Sequence, residues 1–223
     1  MPVNDTAESK DGPVLEWREG GVPVAKSFDD PYFSIADGLA ETRHVFLDGN
    51  DLPAQLRPGF HVAELGFGTG LNCLALAAIA QVPVIMTSFE AFPLSPSQLE
   101  QAHAAFPELA ELAAELRAGW GADRIRVGQV ELRLVLGDVR DTLPQWQGRA
   151  DAWFLDGFSP AKNPGMWSDT ILAEVGDHTA TGGSFATYTA AGHVRRALQA
   201  AGFTVERRPG FGRKRHMSTG VMA

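Results

Sequence analysis

Residues 60–65 form a largely apolar run that carries an acid at Glu64. It passes into Gly66-Phe67-Gly68-Thr69-Gly70 and then into an apolar helical pattern over residues 71–79. No other stretch restricts the fold so tightly. It reads as strand, tight turn and helix N-terminus. Glycine tolerates positive φ and lets a ligand approach the backbone where a Cβ would stand. The helix start beside it offers free N–H groups. A dinucleotide-binding turn has its third glycine three residues after the second. Here Leu71 holds that place and the glycine stands at Gly70. The spacing suits a ligand with no pyrophosphate to seat on the helix end. An ordinary βα turn and a nicotinamide or flavin turn are the competing readings.

Strand and helix patterns alternate after the turn. A helix over 71–80 leads to a strand over 82–89 ending in Glu90, which lies 26 residues beyond Glu64. An acid at the end of the second strand can accept hydrogen bonds from both hydroxyls of a ribose. Helical patterns over 95–105 and 107–118 follow, then an alternating strand over 130–136 that ends at Gly137-Asp138. The segment 150–155 is nearly all apolar after Asp151, as a strand buried on both faces should be. A strand over 183–188, a helix over 191–201 and an antiparallel pair, 203–207 with 214–222, complete the pattern. The expected fold class is α/β in one domain, residues 13–223. Residues 15–28 read as a small hairpin about Gly20-Gly21, within a cap over about 13–58. Residues 1–12 are polar and are expected to be disordered.

Composition removes several functions. With 223 residues, 44% of them apolar, one sizeable core is possible. No apolar run reaches the ~18 residues of a membrane span, and the polar N-terminus lacks a signal-peptide core. A soluble, cytoplasmic protein is expected. Cys73 is the single cysteine, which excludes an internal disulfide. The six histidines are scattered without metal-site spacing, so no metal is expected. The net charge is −8, yet seven Lys/Arg against one acid between Arg195 and Arg215 give that segment +6 and leave −14 elsewhere. Such a local patch can bind phosphate on an acidic body. A solvated face is the plainer alternative.

The fourth strand ends in Asp156-Gly157-Phe158-Ser159-Pro160-Ala161-Lys162-Asn163-Pro164-Gly165-Met166-Trp167. Open α/β sheets bind ligands beyond the carboxyl ends of their strands. A carboxylate, aromatic rings and two prolines at that end predict a rigid site wall. Phe158 or Trp167 would stack on a base.

With the glycine turn, this loop resembles one family: the methyltransferases that complete 5-methylaminomethyl(-2-thio)uridine at the tRNA wobble position. These are the MnmD type, known also as the N-terminal half of the bifunctional MnmC protein. The resemblance covers about residues 15–222. It is carried by Asp30-Pro31-Tyr32-Phe33-Ser34 with Gly38-Leu39 and Glu41-Thr42-Arg43, by Gly66 through Asn72, by Asp156 through Pro164 with Met166-Trp167, and by Gly210-Phe211-Gly212-Arg213-Lys214-Arg215. It implies a class I, Rossmann-like, seven-stranded sheet with its last strand antiparallel and a small N-terminal β extension. It implies S-adenosyl-L-methionine (SAM) as cofactor, and methyl transfer to the exocyclic amine of 5-aminomethyl(-2-thio)uridine in tRNA.

The resemblance also assigns residues. Glu64, Gly66, Phe67, Gly68, Thr69, Gly70, Asn72, Glu90, Asp138 and Asp156 would surround the cofactor, with Asp138 at the adenine edge. Asp156 would also be the catalytic group. Tyr32, Phe33, Ser34, Phe158, Pro160, Lys162, Asn163, Trp167, Arg213, Lys214 and Arg215 would meet the substrate or the tRNA. Bifunctional members continue into a flavin-dependent oxidase, whereas this chain stops at Ala223. The expectation is therefore no oxidase activity and separate enzymes supplying the aminomethyl substrate. The residues themselves leave open another nucleotide-cofactor transferase or oxidoreductase on this fold, and a non-catalytic tRNA-binding protein.

Overall fold

The computed structural model describes residues 12–223. The stretch expected to be disordered lies outside these residues, Gly12 excepted. Three short strands come first: β1 (Leu15–Arg18), β2 (Val22–Ala25) and β3 (Asp30–Pro31), paired antiparallel in that order. Gly20 and Gly21 both take positive φ, 78° and 74°, and bring the chain round between β1 and β2. Helix α1 (Gly38–Thr42) starts where the Asp37 carboxylate accepts the Ala40 N–H, and it runs on through a wider turn at Arg43–Leu47.

The main sheet and its helices follow: β4 (His61–Leu65), α2 (Leu71–Ile79), β5 (Val84–Glu90), α3 (Pro96–His103), α4 (Ala110–Ala118), β6 (Ile125–Val127), β7 (Val130–Leu136), α5 (Val139–Thr142), β8 (Ala150–Leu155), α6 (Asp169–Asp177), β9 (Thr179–Thr187), α7 (Gly192–Ala200), β10 (Phe203–Pro209) and β11 (His216–Met222). The strand order is β10-β11-β9-β8-β4-β5-β7-β6. Seven strands have the expected arrangement. The eighth, β6, is a three-residue edge strand folded back on β7, too short to show a period in the sequence. The run β9-β8-β4-β5-β7 is parallel, and β11 lies antiparallel between β9 and β10.

β4 is central. Its neighbours β5 and β8 lead the chain away in opposite directions across the sheet, so its carboxyl end is the switch point at which such sheets bind ligands. Helix α2 buries every residue from Leu71 to Ala77, because it is enclosed by the sheet, α1 and α4. A helix so enclosed needs no polar face. Truncating Leu74 to Ala there would cost about 2–5 kcal/mol. The opposite face of the sheet packs Trp153, Phe89, Phe185 and Trp167 against α6 and α7. Among the described residues, no helix is long and apolar enough to cross a membrane.

Candidate active site

A cavity of about 1060 Å³ opens where the carboxyl ends of β4, β5, β7 and β8 meet the N-terminal segment. Gly66, Phe67, Gly68, Thr69 and Asn72 line it from the glycine turn. Gly66 needs its missing side chain: at φ 83° a Cβ would lie 3.0 Å from Gly157 Cα, so the ends of β4 and β8 touch. Gly70 does not reach the cavity. It stands at the start of α2 with φ 74°, and Phe67 and Leu116 fill the space a Cβ would need. The turn itself requires glycine there.

Glu64, expected beside the cofactor, does not line the cavity either. The period of a strand puts it on the same face as Val62, beneath the first turn of α2. It is fully buried, and its carboxyl group accepts from Asn72 Nδ2 at 2.8 Å and from Ser88 Oγ at 2.5 Å. Burial pushes its pKa well above the usual carboxylate range. Asn72 Nδ2 also donates to Asp156 Oδ2 at 2.8 Å. Glu64 thus orients Asn72, and Asn72 orients Asp156.

Glu90 lines the cavity at the end of β5. Its Oε2 accepts the Gly68 N–H at 2.8 Å and its Oε1 the Phe92 N–H at 2.7 Å. Burial raises its pKa, and the backbone N–H groups oppose that rise. The Ala91 and Phe67 N–H groups act on the same carboxylate, so its four backbone partners hold it at the cavity wall. Asp138 lines the cavity too, but Arg140 engages its carboxylate. The guanidinium donates from Nε at 2.9 Å and Nη2 at 2.5 Å, and the Arg140 backbone N–H adds a third bond. These contacts hold the Asp138 pKa below its usual value.

Asp156 sits between the two walls of the cavity. Its Oδ1 accepts the Gly157 N–H at 2.8 Å, and Oδ2 accepts Asn72. Burial raises its pKa from 3.8 to about 6, with those two hydrogen bonds opposing. At neutral pH it is mostly ionised and basic enough to take a proton.

The other wall is aromatic. Phe158 stacks on Phe28 at 4.5 Å and meets the edge of Tyr32 at 5.2 Å. Tyr32, Phe33, Ser34, Asn163, Arg213 and Lys214 line the same space. Pro160, Lys162, Trp167 and Arg215 do not. Trp167 is 1% exposed, and its Nε1 donates to the Phe158 carbonyl at 2.9 Å. It braces the loop from below and offers no face to a base. Lys162 turns back to the N-terminal segment: its ammonium donates to the Asp29 carbonyl and pairs with the Asp29 and Asp30 carboxylates at 3.2 and 3.7 Å. Asp30 also accepts the Ser159 N–H at 2.8 Å.

Four further residues border the site; Tyr188, Phe92 and His103 carry no mark in the sequence, and Glu41 stands there only within the family resemblance. Tyr188 lines the cavity, and its hydroxyl donates to the Gly157 carbonyl at 2.8 Å. Glu41 lines it and pairs with Lys214. Phe92 lines it while half exposed at its rim. His103 stands behind the glycine turn. Arg117 donates to its Nδ1 at 3.0 Å, so Nε2–H donates to the Thr69 carbonyl at 2.8 Å. Burial, with the nearby Arg117 charge, lowers its pKa and keeps that neutral tautomer. Among the described residues, no three His, Cys, Asp or Glu side chains gather as a metal site.

A family model described as S-adenosyl-L-methionine-dependent methyltransferase matches residues 102–223. The chain belongs to this methyltransferase family. The matched stretch contains the Asp156 loop, Tyr188 and Lys214. The glycine turn lies before it, and the fold joins both to one cavity. The methyltransferase is 46% identical over 94% of its length to a protein of Chromobacterium violaceum named tRNA 5-methylaminomethyl-2-thiouridine biosynthesis bifunctional protein MnmC. It is 45% identical over 93% of its length to a protein of the same name from Leptospira borgpetersenii. The match covers 34% of each relative, so the chain spans about a third of the length of these curated relatives. The crystal structure of MnmC2 from Aquifex aeolicus has the same fold, with a TM-score of 0.75 at 22% identity over 95% of this chain and 71% of that one. SAM is the methyl donor of the family.

Proposed function

We propose that this methyltransferase transfers a methyl group to the exocyclic primary amine of 5-aminomethyl(-2-thio)uridine at the wobble position of tRNA. The observation that carries the reading is the place of Asp156: one carboxylate shared by the glycine-turn wall and the aromatic wall of a single cavity. The names of the two curated relatives point to the same nucleoside. When bound, SAM supplies an activated methyl group on a sulfonium. Glu90 would hold its ribose, and Gly66, Phe67, Gly68 and Thr69 would let its remainder lie against the backbone.

The protein residues do the rest by position and charge. An alkyl ammonium keeps its proton at neutral pH, with a reference pKa near 10.4 for the lysine amine. It therefore arrives charged and is drawn to the Asp156 carboxylate. Asp156, held by Asn72 and the Gly157 N–H, accepts the proton and leaves a lone pair on nitrogen aimed at the donor. Orientation of two reactants in this way supplies up to ~7–11 kcal/mol. Phe158 and Tyr32 give the pyrimidine an apolar wall. The primary amine must come from an upstream reaction that exposes it, and the work would be done with tRNA in the cytoplasm.

The test is direct. Purified protein, SAM and tRNA carrying 5-aminomethyl-2-thiouridine are incubated and the nucleosides analysed by mass spectrometry. The expected result is one added methyl group on that nucleoside. Unchanged nucleoside with active cofactor binding would refute the substrate assignment.

A further inference from the structure

Lys214, unlike Arg215, lines the cavity, as Arg213 does. Its Nζ lies 2.8 Å from Glu41 Oε1 and 4.3 Å from the centre of the Tyr188 ring, in the cavity that contains Asp156. The Glu41 side chain is 13% exposed and that of Lys214 46%. A carboxylate facing an aromatic ring is a binding arrangement for an ammonium group. Both halves of it are held from behind. Glu41 belongs to α1. Tyr188 is tied by its hydroxyl to Gly157, the residue after Asp156, and its ring meets Trp167 edge-on. Lys214 enters from an exposed turn on a flexible four-carbon stem.

We infer that Glu41 and the Tyr188 ring form a seat for the primary amine of the substrate, which Lys214 fills in this structure and leaves for an RNA phosphate when the substrate enters. The inference rests on the substrate reading above and names the group that selects the amine. Among the described residues, Lys214 is the cation within ion-pair distance of Glu41. Withdrawing it with no replacement would leave a mostly buried carboxylate uncompensated, which is strongly unfavourable. An incoming ammonium restores the balance at Glu41, and a phosphate gives Lys214 a new charge-assisted partner. The exchange couples two events. RNA lacking the amine leaves Glu41 bare, and an amine without RNA leaves Lys214 unpaired. Glu41, Tyr188 and Asp156 line one cavity, and Tyr188 is bonded to the residue after Asp156, so an amine in this seat shares the cavity with its base.

Opposite signs test it. Lys214→Met removes the occupant and keeps its length. Binding of the nucleoside 5-aminomethyluridine, measured by calorimetry with S-adenosylhomocysteine present, should tighten about 2- to 5-fold, as expected when a partly exposed competing ion pair is removed. The KM for tRNA carrying the same base should rise. Glu41→Gln should weaken the nucleoside roughly 30-fold or more, and leave plain uridine, which has no amine, unaffected. Parallel weakening of nucleoside and tRNA in Lys214→Met overturns the seat. If that variant unfolds because Glu41 is uncompensated, the double variant Glu41→Gln/Lys214→Met carries the test. The seat predicts nucleoside binding as weak as in Glu41→Gln alone, and recovery to wild-type binding overturns it in favour of a structural ion pair. A wild-type protein that leaves amine-bearing tRNA unmethylated removes the substrate reading and this inference together, whereas an active wild type with the wrong sign in Lys214→Met removes the seat alone.

Discussion

Glu90 is held by the backbone N–H groups of Gly68 and Phe92, and Asp156 by the Gly157 N–H with one side-chain bond from Asn72. The facing wall depends more on charged side chains that reach across the chain. Asp30 accepts the Ser159 backbone N–H across 129 residues, Lys162 pairs with the Asp29 carboxylate across 133, and Lys214 pairs with Glu41 across 173. A backbone donor persists whatever side chain its residue carries. A pair of side chains fails when either partner changes. The cofactor wall is therefore the more resistant half of the site, and the two ion pairs of the substrate wall are what sequence change can retune.

The largest test of that division is at the junction. Asp156→Asn keeps the shape and removes the basicity, and the single-turnover rate should fall about 100-fold or more, the scale of general acid–base effects. SAM affinity should change far less. In the wild type, kcat/KM should climb with pH through about 6 as Asp156 ionises, and the variant should lack that limb. The stability sign runs the other way. The folded-state pKa lies above the usual 3.8, so the protonated form is the one the fold favours, and stability declines as pH rises from about 4 through about 6. Thermal melts across that window should show the decline in wild type and its absence in Asp156→Asn. A normal single-turnover rate in the variant would make Asp156 a loop residue only.

Glu90→Ala tests the cofactor wall. It removes charge-assisted bonds of roughly 1.5–3 kcal/mol, about 10- to 150-fold in SAM affinity. Unchanged titration curves in a folded variant would remove Glu90 from the ribose. For the substrate wall, Arg213→Ala with Arg215→Ala should weaken tRNA binding several-fold. The dependence of that binding on salt should flatten by about one unit of slope for each phosphate no longer neutralised. SAM affinity should stay level. The two arginines are a solvated face if tRNA affinity is the same at two salt concentrations. The smallest effect is expected at Trp167→Phe, which removes one hydrogen bond to the Phe158 carbonyl and about 0.5–1.5 kcal/mol of stability. Its melting temperature should drop while both affinities hold, and a selective fall in tRNA binding would restore Trp167 to the substrate wall.

The same division explains what is legible in the sequence. Glycine spacing, an acid at the end of β5 and an apolar β8 ending in Asp156 are local patterns, and each marks its place in the sheet. Glu64 shows where a local pattern stops. Its position in the motif is plain, but only the packing of α2 over β4 turns its side chain away from the cavity to Asn72. Trp167 reads as a stacking ring because composition says nothing about which side of a loop is buried. Tyr188 carries no local signal, and Glu41 is marked only within the family resemblance with no role attached, since each meets its partner on another part of the chain. The strand β6 is hidden by its length.

β11 lies between β9 and β10, although it is the last of the three to be made. Thirty-five residues separate the end of β9 at Thr187 from the end of β11 at Met222. At ~5–20 residues per second of synthesis, that is about 2–7 s in which β9 waits with one edge bare. Lys214 is translated near the end of that wait, so a newborn chain contains every residue of its cofactor wall before its substrate wall is complete. An unpaired strand edge is also the part of a sheet most ready to join a strand from another chain. The topology that brings a basic turn over the methyl-transfer site therefore gives this protein a short period of vulnerability late in its own synthesis.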